Sequence, residues 1–123
     1  MLPGEPGAFV YDALHHSLCR LDEADPVELA DACAEIQAIV PDARGALVLL
    51  AGYGARTDSA YVHGKSLLWR DAGCLLAVLQ HVAVWLGLGV CPIGALGGRV
   101  VGALRATSEV VPAGLLVVGE PGG

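Results

Sequence analysis

The chain has 123 residues, 54% of them hydrophobic and 16% charged, with a net charge of −6. That length suits one domain, 1–123, and the apolar content excludes disorder and predicts apolar surface left over for a partner chain. Only seven residues are Lys or Arg and none form a stripe, so no nucleic-acid role is expected.

Residues 9–12 (Phe-Val-Tyr-Asp) read as a short strand after a Pro/Gly turn, and 17–21 as a second. With His15-His16 near the turn, the two predict a hairpin. Asp25-Pro26 opens a helix: an N-cap Asp, Pro at the first helical position and Glu28 in the first turn. It runs to about Ile39, and Pro41-Asp42 ends it. Residues 46–51 (A-L-V-L-L-A) form an apolar run typical of a strand covered on both faces. The stretch 52–63 has mixed polarity and reads as a loop.

The longest element is 65–86. Leu68, Ala72, Leu75, Leu76, Leu79, Val82, Ala83 and Leu86 recur at helical spacing, and Val78, Val84 and Trp85 lie off that stripe. Such a helix is apolar on most sides, so it is central or lies in a subunit interface. Residues 72–96 hold no formal charge, but Gln80 and His81 interrupt them. Gly87, Gly89, Pro92 and Gly94 break the second half, so no membrane span is expected. Gly87-Leu88-Gly89 stops the helix. A short extended segment, 90–94, follows. Residues 99–105 predict a short helix and 113–118 (A-G-L-L-V-V) a last buried strand. The order β-β-α-β-α-β-α-β is an α+β or mixed layer arrangement.

Cys19, Cys33, Cys74 and Cys91 show no C-x-x-C spacing and no cluster with histidine, so no metal site is expected. They read as buried free thiols in a reducing cytoplasm. Residues 1–7 show no basic region followed by an apolar run, hence no signal peptide is expected. His15 and His16 are adjacent and would face opposite sides of a strand. His81 reads as a satisfied buried or interface histidine, Trp69 and Trp85 as packing residues, and Cys91 as an inert small core residue without a basic neighbour. Ser59, Ser66 and Ser108 lack a nucleophile-elbow context. In 87–94 the glycines do not fit G-x-G-x-x-G and follow a helix instead of a strand, so a dinucleotide fingerprint fails. The segment is a helix–strand turn, or a backbone stretch that comes close to something flat or to another chain.

The order of three segments resembles the nitroreductase superfamily. The run from Trp69-Arg70-Asp71-Ala72-Gly73 to Leu86-Gly87-Leu88-Gly89-Val90-Cys91-Pro92-Ile93-Gly94 is similar to its central helix and the Leu-Gly-Leu-Gly…Pro-x-Gly segment after it. Leu115-Leu116-Val117-Val118-Gly119-Glu120-Pro121 is similar to its last core strand. Pro6-Gly7-Ala8-Phe9-Val10-Tyr11-Asp12, followed by Leu18 to Leu21, resembles the G-x-Y-x-Y-D hairpin of the SagB-type branch, which includes azoline dehydrogenases of peptide natural-product pathways.

The resemblance implies an α+β fold, a truncated nitroreductase-like domain with a mixed or antiparallel sheet on a long central dimerisation helix. It implies FMN at a dimer interface, with the backbone of Pro92, Ile93 and Gly94 against the flavin ring, where an N–H would stabilise charge on reduced flavin. The expected function is a subunit of an FMN-dependent dehydrogenase or oxidase. It would complete a flavin site with a nitroreductase-like partner, as a homo- or hetero-oligomer, in peptide natural-product modification.

Departures from the family matter as much. Its opening R-x-S-x-R motif, which holds the FMN phosphate, has no match in 1–7. Glu120 lies inside the final Gly-x-Pro, and no basic contact follows it. The Lys-Tyr pair of the azoline dehydrogenases falls near Ser59 and Ala60. Tyr61, His63 and Lys65 are the nearby polar candidates, or solvated loop residues. The chain alone is therefore expected to hold FMN weakly or not at all. The alternative expectations are a non-catalytic, degenerate scaffold that stabilises or regulates an active homologue, and a truncated fragment that still folds.

Overall fold

The computed structural model describes residues 7–40, 45–94, 97–105 and 109–120. Pro6, Pro41, Asp42, Ser108 and Pro121 lie outside the described residues. The elements are β1 (Phe9–Asp12), β2 (Ser17–Arg20), α1 (Pro26–Ile39), β3 (Gly45–Tyr53), α2 (Gly54–Ala60), α3 (Gly64–Trp85), β4 (Gly89–Ile93), α4 (Gly98–Ala103) and β5 (Val110–Gly119). The fold is α+β with two antiparallel sheets.

The order departs from expectation at one point. Helix α2 occupies part of the stretch expected as a loop. Its residues, Gly-Ala-Arg-Thr-Asp-Ser-Ala, carry no apolar period. It packs instead against the start of α3, where Gly64 lies so close to Asp58 and the Thr57 carbonyl carbon that a Cβ would clash. The Thr57 hydroxyl donates to the Tyr53 carbonyl at 3.0 Å.

Helix α1 begins as its sequence dictates. The Asp25 carboxylate accepts from the backbone N–H groups of Val27 and Glu28 at 3.0 and 3.1 Å. Arg105 donates to the same carboxylate at 3.2 Å, and the Asp25 N–H donates to the Ala103 carbonyl at 2.8 Å. The start of α1 is thereby tied to the end of α4.

The main sheet has the order β3-β5-β4, so the last strand in sequence is the central one. Leu47 and Leu49 of β3, Cys91 and Ile93 of β4, and Leu115 and Val117 of β5 share one face. They pack with Ala32, Leu29 and Ile36 of α1 and Val100 of α4. Helix α3 covers the other face, where the Leu68 and Leu76 side chains fill the space a Cβ would need at Gly52 and Gly114. Strand β3 thus has helices on both faces, but it is an edge strand and half-buried along most of its length. Leu115 and Leu116 are the largest fully buried side chains, one on each face of β5.

Strands β1 and β2 form a separate two-stranded sheet, with Val10 opposite Cys19 and Tyr11 opposite Leu18. No layer covers it. Val10, Tyr11 and Leu18 are all about half exposed.

Two outcomes follow. Leu116→Ala is expected to cost about 2–5 kcal/mol in urea unfolding, as for a fully buried leucine, whereas Leu14→Ala at the hairpin tip is expected to change little. The N–H bonds, that of Glu28 first, and the Arg105 guanidinium hold the Asp25 carboxyl below its ordinary value. Its contribution is therefore present above the ordinary carboxylate range and lost as pH falls through the lowered value. Asp25→Asn, which keeps a capping oxygen and loses the charge, is expected to lower the melting temperature only slightly at neutral pH, with the gap to wild type closing in acid.

Candidate functional site

Helix α3 meets the sheet along one side only. At 100° per residue, Leu68, Ala72, Leu76, Leu79 and Ala83 face inward. The outward side carries Cys74, Ala77, Val78, His81, Val84 and Trp85, with Leu75 and Val82 at its margin, and each is exposed. Trp69 and Trp85, expected as packing residues, are 52% and 86% exposed. The three-stranded sheet is too narrow to cover more than one side of a single helix. By length and composition α3 could cross a membrane, and little of it is buried, but one side is held by the sheet.

The thiols depart from expectation for the same reason. All four are free, but Cys19 and Cys74 are exposed, one on the uncovered hairpin and one on the outward side of α3. Cys91 is half-buried beside the core, as its sequence setting suggests.

The chain passes from α3 through Gly87, in the left-handed region with φ +74, directly into β4. The three residues expected at a flavin ring are contiguous but do not share a face. The Ile93 side chain is buried in the core with Ala32, Val100 and Leu115. Pro92, exposed, lies on the α3 side of the sheet, opposite Leu116. Gly94 is exposed, and a Cβ there would meet no described atom. Strand β4 is a sheet edge, which suits a proline that cannot donate to a ladder. What this stretch offers a ligand is therefore backbone and the Pro92 ring.

Tyr61, His63, Ser66 and Arg70 line an open depression of about 490 Å³ at the start of α3, with Val62 and Leu67. Lys65 is exposed but does not line it. Arg70 was not singled out in the sequence. Two turns of helix bring it beside His63, so the helical period is the signal that finds it. A second depression, of about 300 Å³, separates the base of the hairpin from α1. Pro92, Ile93 and Gly94 line neither.

At the hairpin turn, His15 Nδ1 donates to Asp12 Oδ2 at 2.6 Å, while His16 Nδ1 is hydrogen-bonded to the Tyr11 hydroxyl at 2.7 Å. The His15 bond holds the Asp12 carboxyl below its ordinary value. The two imidazoles thus serve different partners. Among the described residues, no group of three or more His, Cys, Asp or Glu side chains converges as metal ligands would. Ser59 donates to the Arg56 carbonyl at 2.9 Å.

Among the described cations, Arg99 is paired with Glu35, and Arg105 with Asp25. Neither is offered to an anion beside β4. Compared with known proteins, no protein-family model matches the chain, and no curated protein matches its sequence.

The exposure of Trp85 can be read directly. With Trp69→Phe, Trp85 is the sole tryptophan. Its emission is expected to shift red, and to become quenchable by iodide, as dilution strips away whatever covers α3. Red-shifted emission at every concentration would mean that this side of the helix stays in water.

Proposed function

We propose that the chain is a nitroreductase-like subunit of an FMN-dependent dehydrogenase or oxidase, in which a partner subunit covers α3 and the flavin lies between the two. The observation that carries this is the uncovered apolar side of α3, followed in the chain, after a short turn, by a strand whose end exposes Pro92 and Gly94. Surface of that kind marks an interface.

The fit to FMN is divided. Toward the ring, Pro92 and Gly94 offer an exposed backbone stretch with open space at Gly94. Toward the phosphate, two of the described cations, Arg99 and Arg105, are engaged with Glu35 and Asp25. A phosphate left without cationic or helix N-terminal contacts binds poorly, so its contacts come from the partner. The bound flavin would supply two-electron transfer. This chain's residues would position its ring and exclude water from one side. By resemblance, the substrate class is a peptide-derived heterocycle or a similar natural-product intermediate.

The second reading, a degenerate scaffold for an active homologue, is favoured by one feature. Ser59 and Ala60 stand where the azoline dehydrogenases carry Lys-Tyr, and the Ser59 hydroxyl is turned back onto α2.

Flavin absorbance after purification separates the two. The chain alone is expected to carry little or none, and a complex with a full-length nitroreductase-like subunit is expected to carry it in proportion to the partner. Loss of flavin from that complex on Gly94→Trp, with the complex intact, supports the enzyme reading. Retention supports the scaffold. Stoichiometric flavin on the chain alone would overturn the divided site.

A further inference from the structure

The start of α3 gathers polar side chains that the rest of the structure does not use. His63 is its N-cap, in the left-handed region with φ +62. Ser66, Leu67 and Arg70 follow on the same face of the helix, because steps of three, four and seven residues are close to whole turns. Tyr61 and Val62 lead into the cap. These six residues line the open depression of about 490 Å³.

Its chemistry is one-sided. Arg70 brings five N–H donors and a permanent positive charge, and Tyr61, His63 and Ser66 each bring a further donor. Among the described residues no carboxylate lines it. Asp58 lies against Gly64, and Asp71 points about 100° round the helix from Arg70. None of the four polar side chains makes a hydrogen bond or ion pair with another described residue, whereas Arg99 and Arg105 are each paired. The depression also opens beside the positive end of a 22-residue helix, whose cap residue makes no side-chain hydrogen bond to it.

We propose that this depression binds the oxyanion end, a phosphate or a carboxylate, of a small molecule whose apolar body lies against Tyr61, Val62 and Leu67. Its volume exceeds what the anion alone would fill and lies in the range of small-molecule sites. The Arg70 guanidinium can pair with two oxygens of either anion, and the hydroxyls and imidazole supply single hydrogen bonds beside it. All four polar residues are exposed, so water competes and the site holds its ligand weakly, with a Kd on the order of 1 mM. Pro92, Ile93 and Gly94 do not line it, and the site stands whether or not the chain takes part in holding a flavin.

Amide chemical-shift mapping of the full chain by NMR tests this, with phenyl phosphate and benzoate as probes and benzyl alcohol as the uncharged control. Saturable shifts centred on residues 61–70 are expected with at least one of the anions, and the tighter of the two names the oxyanion. Arg70→Gln is expected to weaken binding at least about tenfold, and Arg70→Lys, which keeps the charge but not the fork, by less. Lys65→Gln removes a neighbouring charge that does not line the depression and is expected to leave the Kd within about twofold. Unchanged spectra elsewhere in each variant show that the fold is kept. No saturation with either anion at about tenfold above the expected Kd would overturn the site. Equal weakening by Lys65→Gln and Arg70→Gln would overturn it in favour of diffuse attraction. Equal shifts with benzyl alcohol would overturn the anion and leave only the apolar walls.

Discussion

Strand β5 is the constraint on which the rest of the structure depends. It is the only strand that β3 and β4 both pair with in the three-stranded sheet, and its two fully buried leucines face opposite ways. Leu115 binds the α1 and α4 layer, and Leu116 faces the α3 side. Because β5 comes last in sequence, the sheet is built from non-local pairings, and the two edge strands cannot meet without it. Helix α3 is the crossover between those edges. It must lie along one face of the sheet, and a sheet of three strands covers one side of it and no more.

This geometry explains how so apolar a chain ends with so small an interior. Among the described residues, most of the buried hydrophobic side chains are alanine: Ala32, Ala72, Ala83, Ala103 and Ala113. The larger apolar side chains of α3 remain outside. The accessible surface, 8324 Å², compares with roughly 6,200 Å² expected of a folded monomer of this mass. Part of the excess lies on the outward side of α3 and part on the lone hairpin, which shows apolar side chains on both faces. A two-stranded sheet of that kind is marginal by itself. Both features reflect the same shortage of layers.

Much of the fold is legible in the sequence because its signals are local. Asp25, Pro26 and Glu28 announce α1, and the apolar runs at 46–51 and 113–118 announce β3 and β5. The hydrophobic content of 65–86 announces a helix with more apolar sides than one core needs. Helix α2 is not legible, because seven polar and small residues carry no period and owe their helix to contact with α3. The strand order is not legible either, since nothing local tells β5 to enter between β3 and β4. The exposure of Trp69, Trp85, Cys19 and Cys74 follows from which surfaces the layers leave uncovered, and composition does not specify that. At the candidate site, Pro92, Ile93 and Gly94 fall on one strand end as expected. Their separation into a buried Ile93 and exposed neighbours comes from strand alternation across a sheet whose two faces are covered unequally.

That inequality joins the helix to the strand end. Pro92 projects to the same side of the sheet as α3, and a turn of only Leu86 to Leu88 separates α3 from β4. A body that covered the helix would therefore also approach the β4 edge, and Gly94 would lie at its margin with space beside it. A flat ligand seated there would touch both chains: on this side backbone and a proline ring, on the other the charged groups that β4 lacks. The apolar excess of α3 and the sparse chemistry of β4 are then two consequences of a domain that stops one layer short of enclosing its own helix.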